Sequence, residues 1–426
     1  MSTEETTIDR ILAEIDRDEL VQLVISLTEL DSPTGCEKEI ATFILNWFEE
    51  NEFLPVKQVI EDERFNAIGI LRGSENGPSL TLNGHLDTTM TMQPKGSVYI
   101  KDDKIHGKEV ANMKAGLAAI MLSARAINRA GVRLKGDLIV ATVAGEISVA
   151  PTGTFQETQD RGEGIGTRHL LANGIWSDYA IVADGSEYTI VRAQPGVAYF
   201  RITVKGDENY TPFVQRPENI SDNPNAIIKM TKVIDTVEEW AKEYEQKAIR
   251  KFPWGRMEPK AIITEIEGGM PRIIPGGWRE PLHASQTPPS CEIHLDVRVP
   301  PDMNPIMVKH DLENLLRKLP FNLEIEMFRS QMGYEGKGLG TDYLHSTLEN
   351  CYERVFQAKS PAAPVGVSSM WTDTNLYWEV GIPAIKWGPC EIIKYPDRRT
   401  AEIDGYLKAT KVYSLVALEI CGEDKK

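Results

Sequence analysis

The stretch Asn83-Gly84-His85-Leu86-Asp87, followed by Asn112-Met113-Lys114-Ala115-Gly116, decides how this chain is read. The apolar segment Ser79 to Leu82 predicts a strand whose end presents His85 to a crevice. Asp87, two residues on, can accept the second ring N–H of His85 and fix its tautomer. A lone His-x-Asp is a weak signal, and its surroundings decide its weight. Lys114 to Gly131 predicts a helix, rich in Ala, Leu, Ile and Met and ended by Gly131. Asp137 to Val143 and Tyr179 to Ala183 are continuous apolar runs, the pattern of strands buried on both faces. Strand, helix, strand with chemistry-bearing residues at the strand ends predicts an α/β, doubly wound mixed sheet.

Upstream, Ile8 to Leu30 predicts one amphipathic helix, broken at Asp31-Ser32-Pro33-Thr34-Gly35, and Glu37 to Asn51 predicts another. Val56 to Leu71 has strand character. The pattern changes near Gln194-Pro195-Gly196. Val197 to Val204 alternates like a half-exposed strand, and Asn223 to Lys247 predicts a helix. Strands at Ala261 to Ile266 and Cys291 to Val299, a helix at Asn304 to Leu319 and a strand at Asn322 to Phe328 follow. This predicts an inserted α+β (ferredoxin-like) unit over 194–329, inside a catalytic domain made of 1–193 and 330–426. The α/β pattern resumes with Tyr343 to Ala358 and Ala384 to Trp387, and 267–289 and 359–368 read as loops.

Composition limits the partners. At 426 residues, two domains are expected. The net charge of −16 disfavours nucleic acid and anionic membrane. It leaves room for a local cationic pocket that takes a small carboxylated substrate. Met1 to Arg17 is acidic and polar, without a signal segment, and no apolar run of about 18 residues predicts a membrane span. Cys36, Cys291, Cys351, Cys390 and Cys421 are odd in number and scattered, which points to a reduced cytoplasm and to structural thiols.

Five segments, in this order, resemble the metallopeptidase family of acetylornithine deacetylase, succinyl-diaminopimelate desuccinylase, aminoacylase and carboxypeptidase G. They are Gly84 to Asp87, Gly107 to Gly116, Gly145-Glu146-Ile147, Asp178 to Asp184, and Gly381 to Pro389. The resemblance implies a two-metal site with a bridging carboxylate, a Glu-Glu pair and a C-terminal His. His85 matches a ligand of the first metal, Asp87 its orienting partner, and Asp184 a further first-metal ligand. Asn112 stands where the bridging Asp belongs. The register from Lys114 to Glu146 (146 − 114 = 32) is the family's, so Glu146 falls on the general base and Ile147 on the second-metal ligand. No His follows Pro389; Arg398 and Arg399 occupy that region.

The losses sort by metal. Both ligands of the second metal are gone, and the shared ligand is a neutral amide. The ligands of the first metal and the base remain. This predicts one divalent transition metal per chain (Mn, Zn, Co or Ni) on His85, Asn112 and Asp184. Where the family has an oxyanion-stabilising His in its lid, the stretch Gly206 to Thr211 places Tyr210, a neutral donor. Arg272, Arg298 and Arg398 are candidates to clamp a substrate carboxylate. At least a homodimer through the insert is implied by the resemblance.

Peptide hydrolysis leans on oxyanion stabilisers, and two of them are missing here. The expected reaction therefore places its negative charge elsewhere, as when water displaces the amine of an aromatic ring bearing a para nitro group. An aminoacylase or dipeptidase using one metal is the alternative, and a non-catalytic homologue is a third reading.

Overall fold

The computed structural model describes residues 3–74, 76–89, 97–147, 162–269, 273–274, 278–279, 285–389 and 399–424. The chain divides into two compact units, one of 1–194, 253–255 and 335–426, the other of 195–252 and 256–334.

A six-stranded sheet organises the first unit. Its strands are β1 (Leu54–Glu61), β2 (Arg64–Leu71), β3 (Leu80–His85), β4 (Leu138–Val143), β5 (Tyr179–Val182) and β6 (Ala384–Lys386). Their order across the sheet is β1-β2-β4-β3-β5-β6. β4, β3, β5 and β6 run parallel, and the β1–β2 hairpin adds antiparallel to β4. This is the mixed, doubly wound α/β sheet expected from the apolar runs. Successive side chains on a strand face opposite ways. Leu80, Leu82, Leu138 and Val140 enter one core with the helices on that side. Ile139, Ala141 and Val143 enter a second core, with Leu170, Leu376 and Tyr377.

The chain enters β3, crosses to β4 through the helix Ala115–Arg129, then passes back over β3 to reach β5 through the helix Ile165–Ala172. These two helices lie on opposite faces. The reversal opens a crevice at the carboxyl end of β3, where open α/β sheets bind ligands.

Several elements differ from expectation. Ile8 to Leu30 is two helices, Thr3–Ala13 and Arg17–Glu29. The Asp16 carboxylate accepts from the backbone N–H groups of Asp18 and Glu19 and so starts the second one. Val56 to Leu71 is a hairpin turning at Asp62, which has φ +42°. The helix Ile403–Cys421 is buried over most of its surface and leaves only a narrow polar stripe, Asp404, Lys408, Lys411 and Glu419, to mark its period. The helical stretch Val110–Arg129 is long and apolar enough to span a membrane by length and composition alone, and it is buried in the core. Cys36 is exposed, Cys291, Cys351 and Cys421 are buried, and all four are free thiols. Cys390 lies outside the described residues.

The second unit is a four-stranded antiparallel sheet ordered Ala261–Gly268, Ser290–Val299, Gly196–Lys205, Leu323–Gln331. The helices Ala226–Ala248 and Pro305–Leu316 close its core. This is the α+β insert that the change of pattern near Gln194 predicts. The edge strand Ala261–Gly268 leaves Ile262 and Ile266 about half exposed.

A buried ion pair ties the loop after the second helix to the sheet. Arg64 donates to both oxygens of Glu37, at 2.8 and 2.9 Å, and both side chains are almost fully buried. Burial raises the Glu37 carboxyl above its ordinary range even against Arg64. Removing one partner therefore leaves a costly orphan. Arg64→Met is expected to lose about 3–5 kcal/mol of stability in urea denaturation, most of it recovered in the Glu37→Leu/Arg64→Met double variant.

Candidate active site at the carboxyl ends of the parallel strands

Three neighbouring strands deliver three functional groups. β3 ends at His85, β4 leads into Gly145-Glu146, and β5 leads into Asp184. His85 and Asp184 are buried, and Glu146 Oε2 lies 3.9 Å from His85 Nε2. The turn Val110–Lys114, with a cis Asn112–Met113 peptide, packs beside them. Met113 Sδ accepts the backbone N–H of His85 at 3.3 Å, which brings Asn112 next to the end of β3.

Asp87 holds the cluster together. Its fully buried carboxylate accepts from Thr34 Oγ1 at 2.8 Å, from the N–H of Glu146 at 2.9 Å and from the N–H of Ile147 at 3.0 Å. Burial works against its charge, but the hydrogen bonds and His85 outweigh it, and the carboxyl sits below its ordinary range. One expectation needs correction. The atom that takes the second ring nitrogen of His85 is the backbone carbonyl of Asp87, 3.0 Å from Nδ1, with the carboxylate at 3.5 Å. In the neutral ring, Nδ1 donating to that carbonyl leaves the lone pair on Nε2. That Nε2 is buried and has no hydrogen-bond partner.

The charges around it are acidic. Burial lowers the His85 pKa, but Asp87, Glu146 and Asp184 together push it up to about 10. Burial, then Asp373, Asp184 and Asp87, push Glu146 up to about 8 against the opposing pull of His85. A buried imidazole with an unsatisfied nitrogen among carboxylates is a place that stabilises a cation, and a divalent ion fits it. Among the described residues no three His, Cys, Asp or Glu side chains form a ligating group. An ion on His85 and Asp184 would therefore draw on Asn112 or water. Asp184 is itself divided, since Oδ1 accepts the N–H of Gly185 at 2.7 Å and Oδ2 lies 3.5 Å from the fully buried Lys386 Nζ.

The other predicted site residues belong to the second unit or lie outside the described residues. Tyr210 belongs to the second unit, is about half exposed and packs edge-on against Phe213. Arg298 is also in the second unit, and its guanidinium donates to Asp296 at 2.8 Å. Arg272, Arg398 and residues 148–161 lie outside the described residues. The sequence reading overlooked Lys386 and Asp373. Lys386 was visible as a lysine in an apolar strand, Ala384-Ile385-Lys386-Trp387. Asp373 gave no such signal, since Asp before a short helix is ordinary capping.

Peptidase family M20/M25/M40 matches residues 81–419. The chain belongs to that family of metal-dependent hydrolases. It is 23% identical over 441 aligned positions to N-formyl-4-amino-5-aminomethyl-2-methylpyrimidine deformylase of Bacillus subtilis, covering 96% of each chain. To the enzyme of the same name from Halalkalibacterium halodurans it is 28% identical over 284 positions, covering 62% of each. Its fold is similar to aminopeptidase PepT from Bacillus cereus, with TM-score 0.67, 17% identity and coverage of 96% of this chain and 100% of that one. It is also similar to human carnosine dipeptidase 1, with TM-score 0.69, 14% identity and coverage of 97% and 98%.

The proton on His85 competes with any metal ion for Nε2. Lowering the pH below about 10 raises the protonated fraction, so metal affinity falls as pH falls. Calorimetric titration of metal-free protein with Mn or Zn at pH 6.5, 7.5 and 8.5 is expected to show Kd tightening about tenfold or more per pH unit, with protons released on binding. His85→Ala is expected to abolish both effects.

Proposed function

We propose that this chain hydrolyses 5-nitroanthranilate to 5-nitrosalicylate and ammonia by nucleophilic aromatic substitution, using one divalent transition ion. Within its family it resembles 5-nitroanthranilate aminohydrolase. The observation that carries the reading is the selective loss around Glu146. The next residue, Ile147, offers only its backbone N–H, which goes to Asp87. No His follows Pro389, and Asn112 replaces a charged bridge. A site for one ion and a base remains, with little to stabilise a peptide oxyanion. The Bacillus subtilis relative supports a C–N bond outside a peptide, since the substrate in its name is an N-formyl aminopyrimidine.

We assign His85, Asn112 and Asp184 as the residues that would hold Mn, Zn, Co or Ni. When bound, such an ion supplies the Lewis acidity that makes water nucleophilic near neutral pH. Glu146 takes one proton from that water, and the C–O bond forms at the ring carbon bearing the amine. The displaced ring electrons collect on the para nitro group, away from the attacking oxygen. The C–N bond then breaks with its electron pair on nitrogen. Nitrogen receives the proton from Glu146 and leaves as ammonia, so atoms and charge balance without an oxidant. Asp87 keeps the His85 ring oriented and fixes the Glu146 backbone. Tyr210 is a further hydrogen-bond donor, and Arg272, Arg298 and Arg398 are the carboxylate-binding candidates.

The deformylase name also favours a second reading, a single-metal amidohydrolase of the aminoacylase or dipeptidase type. We further propose self-association through the exposed Ile262 and Ile266 edge of the second unit. Light scattering is expected to give a dimer or larger, disrupted by Ile262→Lys/Ile266→Lys.

Metal-loaded protein mixed with 5-nitroanthranilate is expected to release ammonia. Glu146→Ala is expected to lower kcat by about 10² to 10⁴. Elemental analysis is expected to give one ion per chain, and two tightly held ions would sink the single-metal reading. Turnover of N-acyl amino acids instead selects the second reading, and no turnover with either class favours a non-catalytic homologue.

A further inference from the structure

Asp373 is a fully buried carboxylate that the reading above leaves without a role. It precedes the helix Thr374–Glu379 but makes no capping hydrogen bond to it. Its Oδ2 instead accepts from Thr167 Oγ1 at 2.7 Å, across 206 residues of sequence. Thr167 Oγ1 in turn accepts from Asn83 Nδ2 at 3.1 Å, two residues before His85 on β3. The other oxygen, Oδ1, is equally buried and has no hydrogen-bond partner. Such an orphan costs stability, so packing alone does not account for it.

Its position suggests a use. Gly164, at φ +74°, passes so close that a Cβ there would sit 2.7 Å from Asp373 Oδ1 and 3.1 Å from the Trp371 ring. The N–H of Gly164 donates to the carbonyl of Gly145 at 2.9 Å, and Gly145 directly precedes Glu146. The free oxygen therefore lies against Gly164, whose own N–H is tied to the residue before the proposed base. Asp373 also acts electrostatically on both Glu146 and His85. Trp371 Nε1, from the same loop, is a second buried polar atom without a partner.

We propose that Asp373 Oδ1 accepts an N–H of the substrate's amine and so holds the leaving nitrogen while Glu146 handles the water. This rests on the aminohydrolase reading above. An aromatic amine beside a ring carboxylate has two N–H donors. The ortho carboxylate takes one within the molecule. In a dry site the other needs a protein acceptor, and a para nitro group makes it a stronger donor. An acceptor fixed through Thr167 and Asn83 to β3 would hold the nitrogen's lone pair towards the proton that Glu146 returns.

The test compares two ligands that differ only in the amine. Dissociation constants for 5-nitroanthranilate and 3-nitrobenzoate are measured on metal-loaded Glu146→Ala protein, with and without Asp373→Asn or Asp373→Ala. Asp373→Asn keeps a polar atom for Thr167 and guards against misfolding, which thermal melting and metal content report. The proposal expects Asp373→Ala to weaken 5-nitroanthranilate binding roughly 10- to 100-fold and to leave 3-nitrobenzoate within about twofold. Equal weakening of both ligands, or of neither, overturns it and leaves the aminohydrolase reading standing. No turnover of 5-nitroanthranilate by the unmodified protein overturns both.

Discussion

The site depends on one buried carboxylate, Asp87. Its oxygens take three donors from two distant parts of the chain, the loop at Thr34 and the turn at Glu146 and Ile147. Its carbonyl takes the ring nitrogen of His85. A fully buried anion survives only where donors replace its lost hydration. The donors are backbone N–H groups and a hydroxyl set by strand ends, so satisfying Asp87 also fixes the distance between His85 and Glu146. Supporting a reactive pair through a buried acceptor is how a site holds geometry to fractions of an ångström.

The loop that supplies Thr34 is itself anchored. Ser32 donates to the carbonyl of Leu86 and accepts from Lys114, whose burial brings its pKa down to about 7. Glu37 accepts the N–H of Gly35 and is held by Arg64. Glu37 and Arg64 are thus paired beneath the crevice, while among the buried polar atoms without a partner His85 Nε2 lies 3.9 Å from Glu146 and Asp373 Oδ1 lies against Gly164. Unsatisfied buried atoms are rare in folded proteins. His85 Nε2, so close to Glu146, is the place where a bound ion would complete the structure.

Neighbouring cations temper the acidic cluster. Lys386, buried on β6, faces the outer oxygen of Asp184 and draws off part of its charge. With one imidazole, one partly neutralised carboxylate and an amide, the donor set we propose would be weak and would leave positions open to water and substrate. That suits Lewis-acid chemistry better than a closed structural cage.

The sequence by itself determined the sheet and the strand-end chemistry. Apolar runs stop at His85, before Glu146 and before Asp184 because parallel strands are buried on both faces and their polar residues can appear only where the strand ends. It also determined the change to an antiparallel α+β unit, through alternation after Pro195. It did not separate the first two helices or the β1–β2 strands, because Asp16 and Asp62 act through local hydrogen bonding and a positive φ rather than through hydrophobic period. It missed the helix Ile403–Cys421, since a helix buried over most of its surface shows only a narrow polar stripe, here Asp404, Lys408, Lys411 and Glu419. Only tertiary structure put the Asp87 carbonyl, rather than its carboxylate, closest to His85, and only tertiary structure brought Asp373 to Thr167. That hydrogen bond joins residues 206 apart (373 − 167 = 206). The chain encodes it through the packing of the helix Thr374–Glu379 beneath the sheet, and no spacing in the sequence can express such a packing.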